Sequence, residues 1–123
     1  PTLEPMQGSS ANWDSIFEGM LEVVHGQRGT AKALAKGIQY QMAGKTGTAQ
    51  VIGIAQNAVY KEEEVNERHR HHGLFIAFAP VEAPTIAVAI IVENGGGSSA
   101  ASPIARKVID TWLFGSTDFK DPA

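Results

Sequence analysis

The sequence predicts an α+β chain, an antiparallel sheet with helices packed on its faces, from three observations. Residues 73–79 and 85–93 are two apolar runs joined by Pro80-Val81-Glu82-Ala83-Pro84, a connection short enough for a hairpin. A third strand-like run begins near Tyr40 and continues to about Ile54. Beside these runs lie two stretches with apolar residues at helical spacing, one starting near Asn12 and one between Ser99 and Ser102.

In chain order, residues 1–11 are rich in proline, glycine and serine and carry no apolar period, so they are expected to be a connecting segment. The first helix has two candidate caps, Asn12 and Ser15, the latter with Glu18 three residues on as a capping box. Trp13, Ile16, Phe17, Met20 and Val24 fall on one stripe, as expected of a packed core face, and Gly19 on that helix is expected to mark a close packing point. His25-Gly26-Gln27 ends it. Residues 29–35 have helix-forming composition but stop at Gly37, giving one or two turns before the first strand.

From residue 55 to 72 the chain turns polar, an expected exposed insertion in which Glu64 and Arg68 form an i to i+4 pair. His69, His71 and His72 offer imidazoles, yet they lack the H-x-x-x-H helical spacing, arginines sit among them, and no cysteine completes a tetrahedral set. A solvated basic turn at the rim of a site is the expectation, with no metal and no cofactor. Residues 86–92 show no polar alternation, which places them inside a sheet with a neighbour on each side, although only the hairpin partner is evident in this chain. The closing helix, residues 99–114, should carry Pro103 in its first turn and Ile104, Val108, Ile109, Trp112 and Leu113 on one stripe. Arg106, Lys107 and Asp110 should face outward, Gly115 should cap the end, and residues 116–123 should be loose.

At 123 residues, with ten basic against thirteen acidic side chains, the chain has one domain's length and no basic footprint for nucleic acid. Without cysteine there is no disulfide, thiolate metal site or cysteine nucleophile. Its longest apolar run is far below the roughly 20 residues of a membrane-spanning helix. It opens on Pro1-Thr2-Leu3-Glu4-Pro5 without an initiator methionine or targeting pattern, so a piece of a longer protein is expected.

The chemistry concentrates in Gly44-Lys45-Thr46-Gly47-Thr48-Ala49-Gln50-Val51. Lys45 supplies a positive charge, Thr46 and Thr48 supply hydroxyls, and Gly47 removes a side chain where another backbone would be blocked. An edge strand of this kind suits an extended peptide ending in a carboxylate: unpaired amides pair with the guest backbone, and the hydroxyls and ammonium hold its anionic end. A phosphate-binding loop is excluded on spacing, because Gln39 stands where its first glycine is required.

Lys45-Thr46-Gly47-Thr48-Ala49-Gln50 resembles the third signature of the penicillin-recognising serine acyltransferases, whose elements are S-x-x-K, S-x-N and K-S/T-G. Its extended form is closer to the high-molecular-mass penicillin-binding proteins than to the β-lactamases. The resemblance continues in Glu18-Gly19-Met20, Gly29-Thr30-Ala31, Phe75-Ile76-Ala77-Phe78-Ala79-Pro80, Val92-Glu93-Asn94-Gly95 and Ala101-Ser102-Pro103-Ile104. It implies the C-terminal part of the transpeptidase domain of a monofunctional, class B member, with three strands of a larger five-stranded sheet and the Lys45 strand at one edge.

Acyl transfer needs a nucleophile, a base and oxyanion donors. No serine here has a lysine three residues on, so the nucleophile is expected in an N-terminal remainder carrying S-x-x-K and the true S-x-N. Ser10-Ala11-Asn12 spells S-x-N but lies shortly before Lys45 and against a helix start, and reads as a decoy. By resemblance, Lys45 would hold the S-x-N serine in a proton relay, and the amide of Thr48 would share the oxyanion hole. Thr46 and Thr48 would take the terminal carboxylate of a D-Ala-D-Ala stem peptide or of a β-lactam, and Gly47 would stay small for the guest backbone. The resemblance further implies a peptidoglycan D,D-transpeptidase at the periplasmic face of the inner membrane, anchored by an N-terminal segment and partnered by membrane proteins of the elongation machinery. A serine β-lactamase-type hydrolase and a non-catalytic peptide-binding relative are the alternatives.

Overall fold

A computed structural model describes residues 2–51, 53, 59 and 66–115. Helix α1 (Ser10–His25) leads through a 3-10 turn (Lys32–Ala35) to β1 (Ala43–Ala49); after a second 3-10 turn (Glu67–His69) come β2 (His72–Ala79), β3 (Ile86–Val92) and α2 (Ser98–Phe114). The strands form one antiparallel sheet in the order β1-β2-β3. In the register, Lys45 opposes Ile76, Thr46 opposes Phe75 and Thr48 opposes Gly73, while Phe75 in turn opposes Ile90.

The pleat sends alternate residues to opposite faces. Phe75, Ala77 and Ala79 are buried on one face, where the core gathers them with Val24 of α1, Leu34, Met42, and Ala101, Ala105 and Ile109 of α2. On the other face Ile76 and Ile91 are 49% and 65% exposed. Helix α2 presents small side chains, Ala101, Ser102 and Ala105, to the sheet, so its backbone sits close; a Cβ on Gly73 would run into the Gly97 carbonyl at its N-terminal end. That contact requires glycine at 73; in the run before α2, Gly96 stands at φ 92° and a Cβ on Gly95 would crowd Val92 and Ala100, whereas one on Gly97 would meet nothing within 4 Å.

Several expectations are corrected. The cap of α1 is Ser9, whose Oγ accepts from the Asn12 amide at 3.3 Å, whereas the Ser15 hydroxyl donates to the Ala11 carbonyl inside the helix. Of the stripe on α1 only Val24 is fully buried, because only its C-terminal half reaches the core; Ile16 and Phe17 stay exposed, and Phe17 meets Phe78 edge-on at 5.5 Å. Gly19 is not a packing point, for a Cβ there would meet nothing within 4 Å. Helix α2 begins at Ser98, which moves Pro103 past the first turn. Its exposed residues include Ile104, Val108 and Trp112 of the expected stripe.

Strand β1 starts at Ala43 rather than near Tyr40, because Tyr40 is committed elsewhere. Its hydroxyl donates to Asp110 Oδ1 at 2.7 Å, and Arg106 pairs with the same carboxylate at 2.9 Å. Asp110 is therefore buried, not outward-facing. Arg106 also donates to the carbonyls of Leu34 and Lys36, so one i,i+4 pair ties α2 to the segment entering β1. The histidines are not a solvated turn either. His69 is exposed, but His71 is buried, and His72 opens β2 with Nδ1 accepting from the Asn94 amide at 2.9 Å. Asn94, at φ 53°, also donates from its side chain to the carbonyls of Arg68 and Arg70, which draws this loop onto the sheet.

Strand β3 has β2 as its pairing strand among the described residues; its second expected neighbour is not found there. Residues 52 and 54 of the expected first strand, Glu64 of the expected ion pair and the tail 116–123 lie outside the described residues.

Two measurements check this packing. A Cβ on Gly44 would stand 2.6 Å from Phe75 Cζ and 3.0 Å from the Ile76 carbonyl, so Gly44→Ala should lower stability by about 1–3 kcal/mol in a urea titration. Burial, then the hydrogen bond to Asp110, raises the Tyr40 hydroxyl above the ordinary phenol pKa. A raised folded value stabilises fully below the unfolded pKa and less above it, so the unfolding midpoint should fall as pH rises beyond about 10. Tyr40→Phe should lessen that fall.

Candidate functional site

The site is built on β1, whose local sequence is dictated by its neighbours. Gly44 leaves room for the Phe75 ring, and at Gly47 a Cβ would stand 3.2 Å from Leu74 Cβ on the paired strand. Gly47 is thus constrained from the β2 side, a restriction separate from the room that a guest would need. Two contacts set where β1 starts. The Met42 amide donates to His25 Nε2 at 3.0 Å, joining the end of α1 to the strand, and the Val81 amide donates to the Gln41 carbonyl at 3.0 Å.

Among the described residues β1 has a strand on one side only, since β2 pairs with it and no other strand does. Lys45 is exposed and its Nζ donates to the Thr46 carbonyl at 2.8 Å. Pairing with Ile76 puts Lys45 on the open sheet face. Thr46 and Thr48, paired with Phe75 and Gly73, alternate to the opposite face, so the ammonium and the two hydroxyls share the strand's edge rather than one face. Thr48 is exposed. Thr46 is half-buried, and its Oγ1 lies 3.1 Å from Oγ1 of Thr30.

Sequence reasoning missed His25 and Thr30 as parts of this site. Their contacts with Met42 and Thr46 span 17 and 16 residues, beyond any local period. A hollow of about 230 Å³ lies beside Thr30, lined by Gly19, Glu22, Val23, Arg28, Gly29 and Thr30. A larger one of about 440 Å³, lined by Ile86, Lys107, Val108, Thr111 and Trp112, belongs to α2 and not to β1. Ser10-Ala11-Asn12 forms the exposed first turn of α1. No group of three or more histidine, aspartate or glutamate side chains placed to hold a metal occurs among the described residues, and none of the described helices is long and apolar enough to cross a membrane.

Among the described residues the arrangement offers a strand edge without a pairing strand, with one cation and two hydroxyls on it. Comparison with known proteins shows the family to which the chain belongs. The chain is 44% identical over 107 residues to the peptidoglycan D,D-transpeptidase MrdA of Acinetobacter baumannii, covering 87% of this chain and 16% of that protein. It resembles the crystal structure of Pseudomonas aeruginosa PBP2 in complex with WCK 5153, with a TM-score of 0.71 and 40% identity over 93% of this chain and 24% of that one. It also resembles Helicobacter pylori PBP2 in complex with MreC, with a TM-score of 0.65 and 30% identity over 85% of this chain and 18% of that one. The chain thus spans less than a fifth of the A. baumannii relative's length. The model of the penicillin-binding protein transpeptidase domain matches residues 5–110, most of the chain. This chain belongs to the penicillin-binding protein transpeptidase family.

Proposed function

We propose that this chain is the K-T-G portion of a penicillin-binding protein 2-like peptidoglycan D,D-transpeptidase, whose nucleophile is carried by an N-terminal remainder of the same protein. One observation carries the reading: among the described residues the signature strand is an edge strand, with Lys45 exposed on it. A buried lysine, or protein strands on both sides of β1, would leave an acyl donor nowhere to lie.

In this reading the stem peptide lies along the outer edge of β1, with its terminal carboxylate at the Thr46 and Thr48 hydroxyls. The serine Oγ of the remainder attacks the carbonyl carbon of the penultimate D-alanine, and the developing oxyanion is held by the Thr48 amide and the serine's own amide. The C–N bond breaks and the last D-alanine leaves with a proton. An amine of a neighbouring stem then attacks the acyl ester and restores the serine. Lys45 raises the positive potential and holds the S-x-N hydroxyl through which protons move. A β-lactam enters by the same route, its carboxylate standing for the terminal carboxylate, and stays as the acyl-enzyme. Location at the periplasmic face of the inner membrane, an N-terminal anchor and membrane partners of the elongation machinery belong to the same reading; the H. pylori relative's complex with MreC supports the last.

The complete protein should acquire a covalent label from a fluorescent penicillin, and this chain alone should not. Lys45→Ala should slow labelling by about 10²–10⁴-fold, the usual worth of a placed proton-transfer group. The exposed position should leave the unfolding free energy within about 0.5 kcal/mol of the parent. Labelling of the isolated chain, or an unchanged rate in Lys45→Ala, would contradict the assignment. Rapid release of hydrolysed penicillin would favour the hydrolase.

A further inference from the structure

A side-chain hydrogen bond joins the signature residue Thr46 to Thr30 of the turn after α1, 3.1 Å apart between hydroxyl oxygens. Thr30 is held firmly. The Ala31 amide donates to the Val23 carbonyl at 2.9 Å, the Gly29 amide donates to the Gly26 carbonyl at 3.0 Å, and Ala31 itself is buried. Gly29 is packed so closely on the end of α1 that a Cβ would collide with the carbonyls of Glu22 and Val23. The Thr30 hydroxyl is therefore presented to β1 from a rigid turn, at an exposed position where nothing in the core demands a hydroxyl.

We propose that Thr30 is a positioning residue for the anionic end of the acyl donor, acting through Thr46; this rests on the functional reading above. A hydroxyl carries one proton. If the Thr46 proton is to point at a carboxylate, the Thr46 oxygen must be free to accept, and Thr30 is the donor placed to fill that role. The chain Thr30 O–H to Thr46 Oγ, then Thr46 O–H to carboxylate, fixes the Thr46 rotor and polarises its proton toward the anion. Among the described residues no other side-chain hydrogen bond to the Thr46 hydroxyl is found that would orient it before the guest arrives. The effect falls on binding of the carboxylate, since neither hydroxyl reaches the acyl carbon in this reading.

The test uses the complete protein and a fluorescent penicillin, with reversible binding separated from the limiting acylation rate in a concentration series. Thr30→Val, near in shape and lacking the donor, should weaken reversible binding about five- to tenfold, with the limiting acylation rate within twofold of the parent. Thr30→Ser, which keeps the donor and loses the methyl, should restore most of the affinity; a packing role would reverse that order. In a Thr46→Val background Thr30→Val should add nothing. Equal binding by the parent and Thr30→Val, or an additive loss in the double variant, would overturn the proposal while leaving the transpeptidase reading intact. An unlabelled parent protein would overturn both.

Discussion

Phe75 sets where the signature strand can lie. It is fully buried at the middle of the central strand, opposite Thr46 on one side and Ile90 on the other, and its ring fills the space that a side chain at Gly44 would need. A close-packed ring tolerates little displacement, so β1 is held at one height and register against β2. That register sends Lys45 to the open face and the two threonines to the other side of the strand. The height and register of β1 are then a consequence of packing and do not depend on the functional side chains themselves.

The rest of the molecule supports that placement from behind. The Tyr40–Asp110–Arg106 cluster fastens α2 to the segment before β1, and His25 fastens the end of α1 to its first residues. Both are polar contacts made at the margin of the core, where each buried charge has its partner. The open face, with Ile76 and Ile91 exposed on it, is the face on which Lys45 stands. Apolar exposure of that kind marks a surface suited to further protein.

Much of this was legible in the sequence. The proline-bounded hairpin, the strand carrying Lys45 and Gly115 as the αL cap of α2 each carry a local physical signal that the structure repeats, whereas β3 alternates between half-buried and exposed residues where two covered faces were expected. What was not legible depends on long-range partners. Asp110 reads as a surface charge until Tyr40 and Arg106 are seen around it, and His72 reads as part of a basic turn until Asn94 donates to it. The apolar stripe on α1 promised a buried face, yet amphipathic spacing says only which side would pack and not how much partner surface is at hand. Thr30 belongs to the same class, a hydroxyl whose meaning depends on a strand 16 residues away.

In the proposed reading the outer edge of β1 receives an extended guest whose anionic end rests on Thr46 and Thr48. A crystal structure of the complete protein acylated by a penicillin tests it most directly. The ligand should lie along that edge, its carboxylate within about 2.5–3.0 Å of the two hydroxyl oxygens. A carboxylate bound away from both threonines, or a protein strand paired with the outer edge of β1, would contradict it.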